Sequence, residues 1–163
     1  TWSNCSSLTS FPALDCSNGT NFRYTWNYCS NLTSFSTVDT SSGQSFESAW
    51  KGTNLTTFPS LDFSSGTSFY AAWRDSEISN FPANMFDTTG TLTSNAFSWA
   101  WINCALTAQS IENILVSLDT NGQSNKSLNI NSGTNAAKTT WSTAANTAYN
   151  NLITKGWTIG YNA

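Results

Sequence analysis

The 163-residue chain contains no histidine, so the side chain most often used for general acid–base catalysis near neutrality is missing. Nine carboxylates and six cations remain, together with four cysteines. Four aspartates recur just ahead of a glycine: Asp15 before Gly19, Asp39 before Gly43, Asp62 before Gly66 and Asp87 before Gly90. A column of such carboxylates could be neutralised by calcium, which takes oxygen ligands. The commoner outcome is that each Asp accepts turn amides of the next loop. Nothing in the flanking sequence would push two of these pKa values apart, which a catalytic carboxylate pair requires. Cys5 and Cys29 fall in one recurring slot and read as buried free thiols that fill small apolar space. With no C-x-x-C and no histidine, zinc lacks its usual ligands. The expectation is a non-enzyme with no catalytic residue, no metal and no cofactor.

The chemistry on offer is that of binding. Arg23 and Tyr24, then Tyr28, then Tyr70 and Arg74, stand at positions that vary between otherwise similar stretches of chain. Asn27, Glu47, Ser48, Lys51, Asp75 and Glu77 vary beside them. Exposed tyrosine next to charge combines ring stacking with hydrogen bonding and suits a sugar or a protein partner. A second candidate is the hydroxyl series Thr9, Thr33, Thr56 and Ser79, with Ser10, Ser34, Thr57 and Asn80 beside it. Spaced by one strand separation, about 4.8 Å, such groups could bind a polysaccharide, pair with another sheet or order water. The plainer alternatives are ordinary surface variation for the tyrosines and a solvated sheet face for the hydroxyls. Ligand-binding candidates are therefore Tyr24, Tyr28, Tyr70, Arg23, Arg74, Thr9, Thr33 and Thr56.

What must position them is a recurring segment. LTSFPALDCSNGTNFRYTW (8–26), LTSFSTVDTSSGQSFESAW (32–50) and LTTFPSLDFSSGTSFYAAW (55–73) share one template, and a degraded copy runs from Ile78 to Trp101. Starts at Leu8, Leu32, Leu55 and Ile78 give steps of 24, 23 and 23 residues. A step of this size predicts an α/β repeat solenoid: a leucine-rich-repeat-like parallel sheet with short helical turns. Each leucine starts a strand that ends at Phe11, Phe35, Phe58 or Phe81, because Pro12, Pro59 and Pro82 cannot continue a ladder. Leu14, Val38 and Leu61 return the chain to the core, and the glycines take positive φ in the turns. Phe22 and Trp26, Phe46 and Trp50, and Phe69 and Trp73 are four residues apart, which fits helical turns burying both rings. Residues 1–104 are read as this solenoid of about four units, the last one expanded. Residues 105–163 are read as a C-terminal α/β cap, with helices near 107–118 and 139–155 and strands near 127–131 and 157–161.

Composition narrows the function classes. Only 9% of residues are charged, but 14% are aromatic, enough apolar surface to fold. Six scattered basic residues and a net charge of -3 argue against nucleic acid. No apolar run is long enough to span a membrane. The opening Trp2-x-x-Cys5-x-x-Leu8 matches Trp26-x-x-Cys29-x-x-Leu32, so the chain is expected to begin inside a longer array.

Units of the form L-x-S-F-P-x-L-D-x-S-S-G-T-x-F-x-x-A-W-x-x-C resemble leucine-rich repeats of the BspA-like class, found in bacterial surface proteins and in bacteriophage tail-associated proteins. The segment from Ser110 to Asn162 is similar to the one that often follows such repeats. The resemblance implies an adhesin on a cell surface or virion: an extracellular, receptor-binding, non-enzymatic module for a host-surface glycan or protein. The alternative is a structural subunit or decoration protein of an extracellular filament or virion, which self-associates or packs on other filament or virion proteins. Ser36 in place of proline, and Thr53 in place of cysteine, depart from the pattern.

Overall fold

The computed structural model describes residues 1–163. Strand β1 (Ser10–Phe11) pairs in parallel with β2 (Ser34–Phe35). Helix α1 (Ala108–Asn121) is followed by β3 (Ser127–Ile130), a short 3-10 turn (Lys138–Thr140), α2 (Thr143–Thr154) and β4 (Thr158–Tyr161). Strands β3 and β4 form a second parallel pair, Ser127 opposite Thr158 and Ile130 opposite Tyr161.

This corrects the expected α/β leucine-rich-repeat-like solenoid. Helix, with the 3-10 turn, accounts for 18% of residues and strand, with isolated bridges, for 12%; there are only two α-helices and two small two-stranded sheets, and no repeat architecture of that kind is seen. Ahead of α1 there is no helix, and strand pairing beyond β1 and β2 shrinks to isolated bridges such as Thr57 to Asn80. The segments from Phe22 to Trp26, Phe46 to Trp50 and Phe69 to Trp73 are not helical. Their amides alternate between two acceptors. Thr25 N–H closes a turn on Phe22 O, and Ala49 N–H does so on Phe46 O. Phe22, Tyr24, Trp26 and Tyr28 instead donate to Ser45, Glu47, Ala49 and Lys51, carbonyls of a segment 23 residues later. Phe46, Ser48, Trp50 and Gly52 donate in the same sense to Ser68, Tyr70, Ala72 and Arg74. An amide bonded to a distant carbonyl is lost to the i→i−4 pattern of a helix, so none forms.

Side-chain packing carries the interior. Trp2, Trp26, Trp50, Trp73 and Trp101 stack at centroid separations of 6.2, 5.2, 5.7 and 4.6 Å. Phe22, Phe46, Phe69 and Phe97 stack at 5.2, 5.3 and 5.1 Å. Phe11, Phe35, Phe58 and Phe81 form a third series at 5.2, 6.4 and 5.4 Å and meet the indoles edge-on. The indole N–H groups of Trp26, Trp50, Trp73 and Trp101 have no hydrogen-bond partner. An unmet donor costs about 1–3 kcal/mol. Burying an aromatic ring of 150–250 Å² returns roughly 4–6 kcal/mol at 25 cal/mol per Å², so burial wins.

Two further expectations change. Leu14 is exposed, whereas Val38 and Leu61 are buried. Gly19, Gly43 and Gly66 do not need positive φ; they need space. A Cβ on Gly19 would lie 2.6 Å from Phe22 Cζ, and one on Gly66 2.5 Å from Phe69 Cζ. Of the cysteines, Cys29 is buried and donates to Trp2 O at 3.0 Å, but Cys5 is exposed, and all four are free.

Helix α1 begins at Thr107, whose hydroxyl accepts Ser110 N–H, and stops at Gly122 in the left-handed region. Its apolar side, Ile111, Ile114, Leu115 and Leu118, is fully buried, and it packs on α2 through Ala145, Ala148 and Leu152 of the latter. Polar side chains of α1 take up backbone groups of the segment before it. Ser110 Oγ accepts Phe81 N–H at 2.9 Å and donates to Ser79 O at 2.8 Å. Ser117 Oγ accepts Phe86 N–H at 2.8 Å, and Asn113 and Asn121 donate to Phe81 O and Phe86 O. These replace the backbone partners that Phe58 finds in Asn80. Ser110→Ala leaves Phe81 N–H without a partner and removes one of two donors to Ser79 O, which keeps Thr107 N–H. An expected loss of about 1–2 kcal/mol follows, read by urea denaturation; Ser110→Thr, which keeps the oxygen, should recover part of it.

Candidate functional site

The tyrosines expected to bind sit on the turn segments just described. Tyr24 and Tyr28 have φ of 56° and 53°, and the corresponding Ser48, Ala71 and Trp99 have 52°, 52° and 63°. Phe22 and Trp26 point inward and are buried, while Tyr24 and Tyr28 between and after them stay in solvent. The aromatic surface is therefore set by the backbone of alternating turns, not by a helical face. Tyr24, Tyr28, Tyr70 and Trp99 are 49, 45, 37 and 45% exposed.

Three of the four, Tyr24, Tyr28 and Trp99, are matched with a cation. The Arg23 guanidinium lies 5.8 Å from the Tyr24 ring centre, Lys51 Nζ 5.1 Å from that of Tyr28, and the Arg74 guanidinium 4.6 Å from that of Trp99. Such pairs contribute about 0.5–1 kcal/mol at exposed sites, enough to hold a ring in place. Tyr70 stacks on Trp99 at 6.0 Å and 25°. Carboxylates then orient the cations: Glu47 pairs with Arg23 at 2.8 Å, and Asp75 lies 3.3 Å from Arg74 and accepts Asn103 at 3.2 Å. Gly52 leaves room for Tyr28, since a Cβ there would stand 2.5 Å from its ring.

Of the expected binding residues, the structure thus brings together Arg23 with Tyr24 directly, and Tyr70 with Arg74 through Trp99. Thr9, Thr33 and Thr56 form a separate set. All three are exposed, as are Ser10, Ser34 and Thr57. Thr33 Oγ1 donates back to Thr9 O at 3.3 Å. No hydrogen bond or ring contact links this set to the tyrosines. Trp99 was not among the candidates. It was legible only as the extra tryptophan two residues before Trp101, in the slot where earlier segments carry Tyr24, Ser48 and Ala71.

Three of the four aspartates serve their own turns, not the next loop as expected. Asp15 and Asp39 each accept the amide and hydroxyl of the serine two residues on, which holds both carboxyls below the usual range. Asp62 accepts Ser64 N–H, whereas Asp87 takes the Ser117 hydroxyl at 2.5 Å. No group of three or more His, Cys, Asp or Glu side chains is placed to hold a metal ion. Burial pushes the Cys104 thiol up to about 11, the reverse of an activated nucleophile.

No protein-family model matches the chain, and neither a curated protein nor a solved structure matches it. No helix is long and apolar enough to cross a membrane.

Proposed function

We propose that this chain is a non-enzymatic binding module of a cell surface or virion that recognises a host-surface glycan or protein through its exposed aromatic ridge. The observation that carries the reading is the Tyr70–Trp99 stack, with Arg74 over the indole and Asp75 beside the guanidinium. Two large rings, stacked at 25° and partly in solvent, offer aromatic surface to the apolar face of a sugar or to a partner's side chain. The adjacent Arg and Asp supply hydrogen bonds around its rim. All three cations of residues 1–104 lie over exposed rings, in a chain with only six. The likeness of the repeated motif to BspA-like surface proteins supports the same reading.

The test is a glycan array and a cell-binding assay on the intact chain and on Trp99→Ala, Tyr70→Ala and Tyr24→Ala. Truncating a central aromatic anchor costs at least about 2 kcal/mol, roughly thirtyfold in affinity. Trp99→Ala and Tyr70→Ala are expected to lose binding to that degree, with an unchanged urea midpoint. Binding that survives both changes removes the ridge from the site.

A further inference from the structure

A cavity of about 230 Å³ opens between the hydroxyl-bearing edge of the first part of the chain and the start of α1. Thr57, Asn80 and Pro82 line one side; Thr107, Gln109 and Asn113 line the other. It touches none of the aromatic ridge, and no charged side chain borders it.

The hydrogen bonds already made around it decide what it can take. Asn80 gives one N–H to Ser79 Oγ at 3.1 Å, so its second N–H and its carbonyl oxygen are left over. Gln109 spends its nitrogen on Glu112 and Asn113, at 3.3 and 3.1 Å, and its oxygen is also left over. Asn113 gives one N–H to Phe81 O at 2.8 Å and accepts Gln109 at its oxygen, which leaves one N–H over. The Thr57 hydroxyl makes no intramolecular hydrogen bond and can donate or accept. The lining therefore offers two amide oxygens, one N–H each from Asn80 and Asn113, and one hydroxyl, a mixed set of donors and acceptors without charge. An anion would meet those oxygens with no cation to offset them. A cation would find no carboxylate in the lining. An apolar group would touch Phe58, Phe81 and Pro82 but use none of these polar groups. A neutral ring bearing several hydroxyls, each of which both donates and accepts, meets the oxygens and the N–H groups alike, and the half-buried Pro82 supplies an apolar wall for its C–H face.

We propose that this cavity is a sugar subsite taking one neutral, hydroxyl-rich ring, separate from the aromatic ridge. It lies at the end of the hydroxyl series, so a glycan chain leaving it would pass over Thr57 toward Ser34 and Ser10.

The experiment is an amide NMR titration of the whole chain with D-glucose, N-acetyl-D-glucosamine and D-glucuronate in turn. Both neutral sugars are expected to shift Thr57, Asn80 and Gln109 more strongly than glucuronate does. In Asn80→Ala and Gln109→Ala, each lost hydrogen bond should weaken binding roughly two- to tenfold. Both residues are exposed, so the remaining spectrum reports an intact fold. Trp99→Ala should leave these shifts as they were. The proposal is overturned by neutral sugars that do not move Thr57 and Asn80, by equal affinity in both variants, by a preference for glucuronate, or by loss of the shifts in Trp99→Ala. The ridge can fail its own test while this result stands, and the reverse also holds.

Discussion

Trp73→Ala is expected to cost about 3–5 kcal/mol, the range for deleting a large buried aromatic side chain. Trp73 is fully buried. Its indole lies between Trp50 at 5.7 Å and Trp101 at 4.6 Å, and meets Phe58 and Phe81 edge-on at 5.4 and 5.1 Å. No partner lost here is a hydrogen bond, since its N–H has none. The whole penalty comes from cavity and contact terms, so Trp73→Phe should recover much of it. Native domains are stable by only about 5–15 kcal/mol, so the alanine variant should lose a large part of the total. Urea denaturation followed by far-UV circular dichroism gives the value. Trp2, at 37% exposure and with one indole neighbour, should lose distinctly less. A loss at Trp73 below that at Trp2 would mean that the indole column does not hold the fold.

Gly66→Ala is expected to cost about 3 kcal/mol, at the upper end of the usual range for overpacking. The added methyl would sit 2.5 Å from Phe69 Cζ and 3.0 Å from the carbonyl oxygen of Phe63. Phe69 cannot swing away, because Phe46 and Phe97 stack on its two sides at 5.3 and 5.1 Å. The same change at Gly122, where the nearest atom is 3.9 Å away, meets no clash but a strained φ of 79°. It should cost about 1 kcal/mol, as for other residues forced into the left-handed region. Thermal melts of the two variants separate crowding from backbone strain. Equal shifts in Tm would show that Phe69 yields.

The recurrence of Phe and Trp every 23–24 residues located the buried rings directly, because a ring that must be covered leaves a fixed landmark. The second half was legible for an ordinary reason: α1 and α2 carry apolar periodicity and hydroxyl caps at Thr107 and Ser142. α2 nevertheless starts at Thr143, not near 139, since residues 138–140 make a 3-10 turn first. The error in the first half came from one spacing. Phe22 and Trp26 lie four apart, and that interval suits both a helical turn and two consecutive tight turns. The residues that discriminate were present. Asn4, Tyr28, Gly52, Asp75 and Asn103 all have positive φ, and four of the five are the Gly, Asn or Asp that tolerate it. Trp99 was missed because its neighbour Trp101 fills the buried slot, and nothing in the sequence alone says which of two tryptophans turns outward.

The amides of Phe22, Tyr24, Trp26 and Tyr28 all donate toward later chain, and so do those of Phe46, Ser48, Trp50 and Gly52, then Phe69, Ala71, Trp73 and Asp75. Peptide dipoles aligned this way add, as they do along a helix axis. One flank of the molecule therefore carries a permanent electric polarity without any helix, its negative pole toward Trp2 and its positive pole toward β3. An approaching ion would sense which end it faces on a surface where formal charges are sparse.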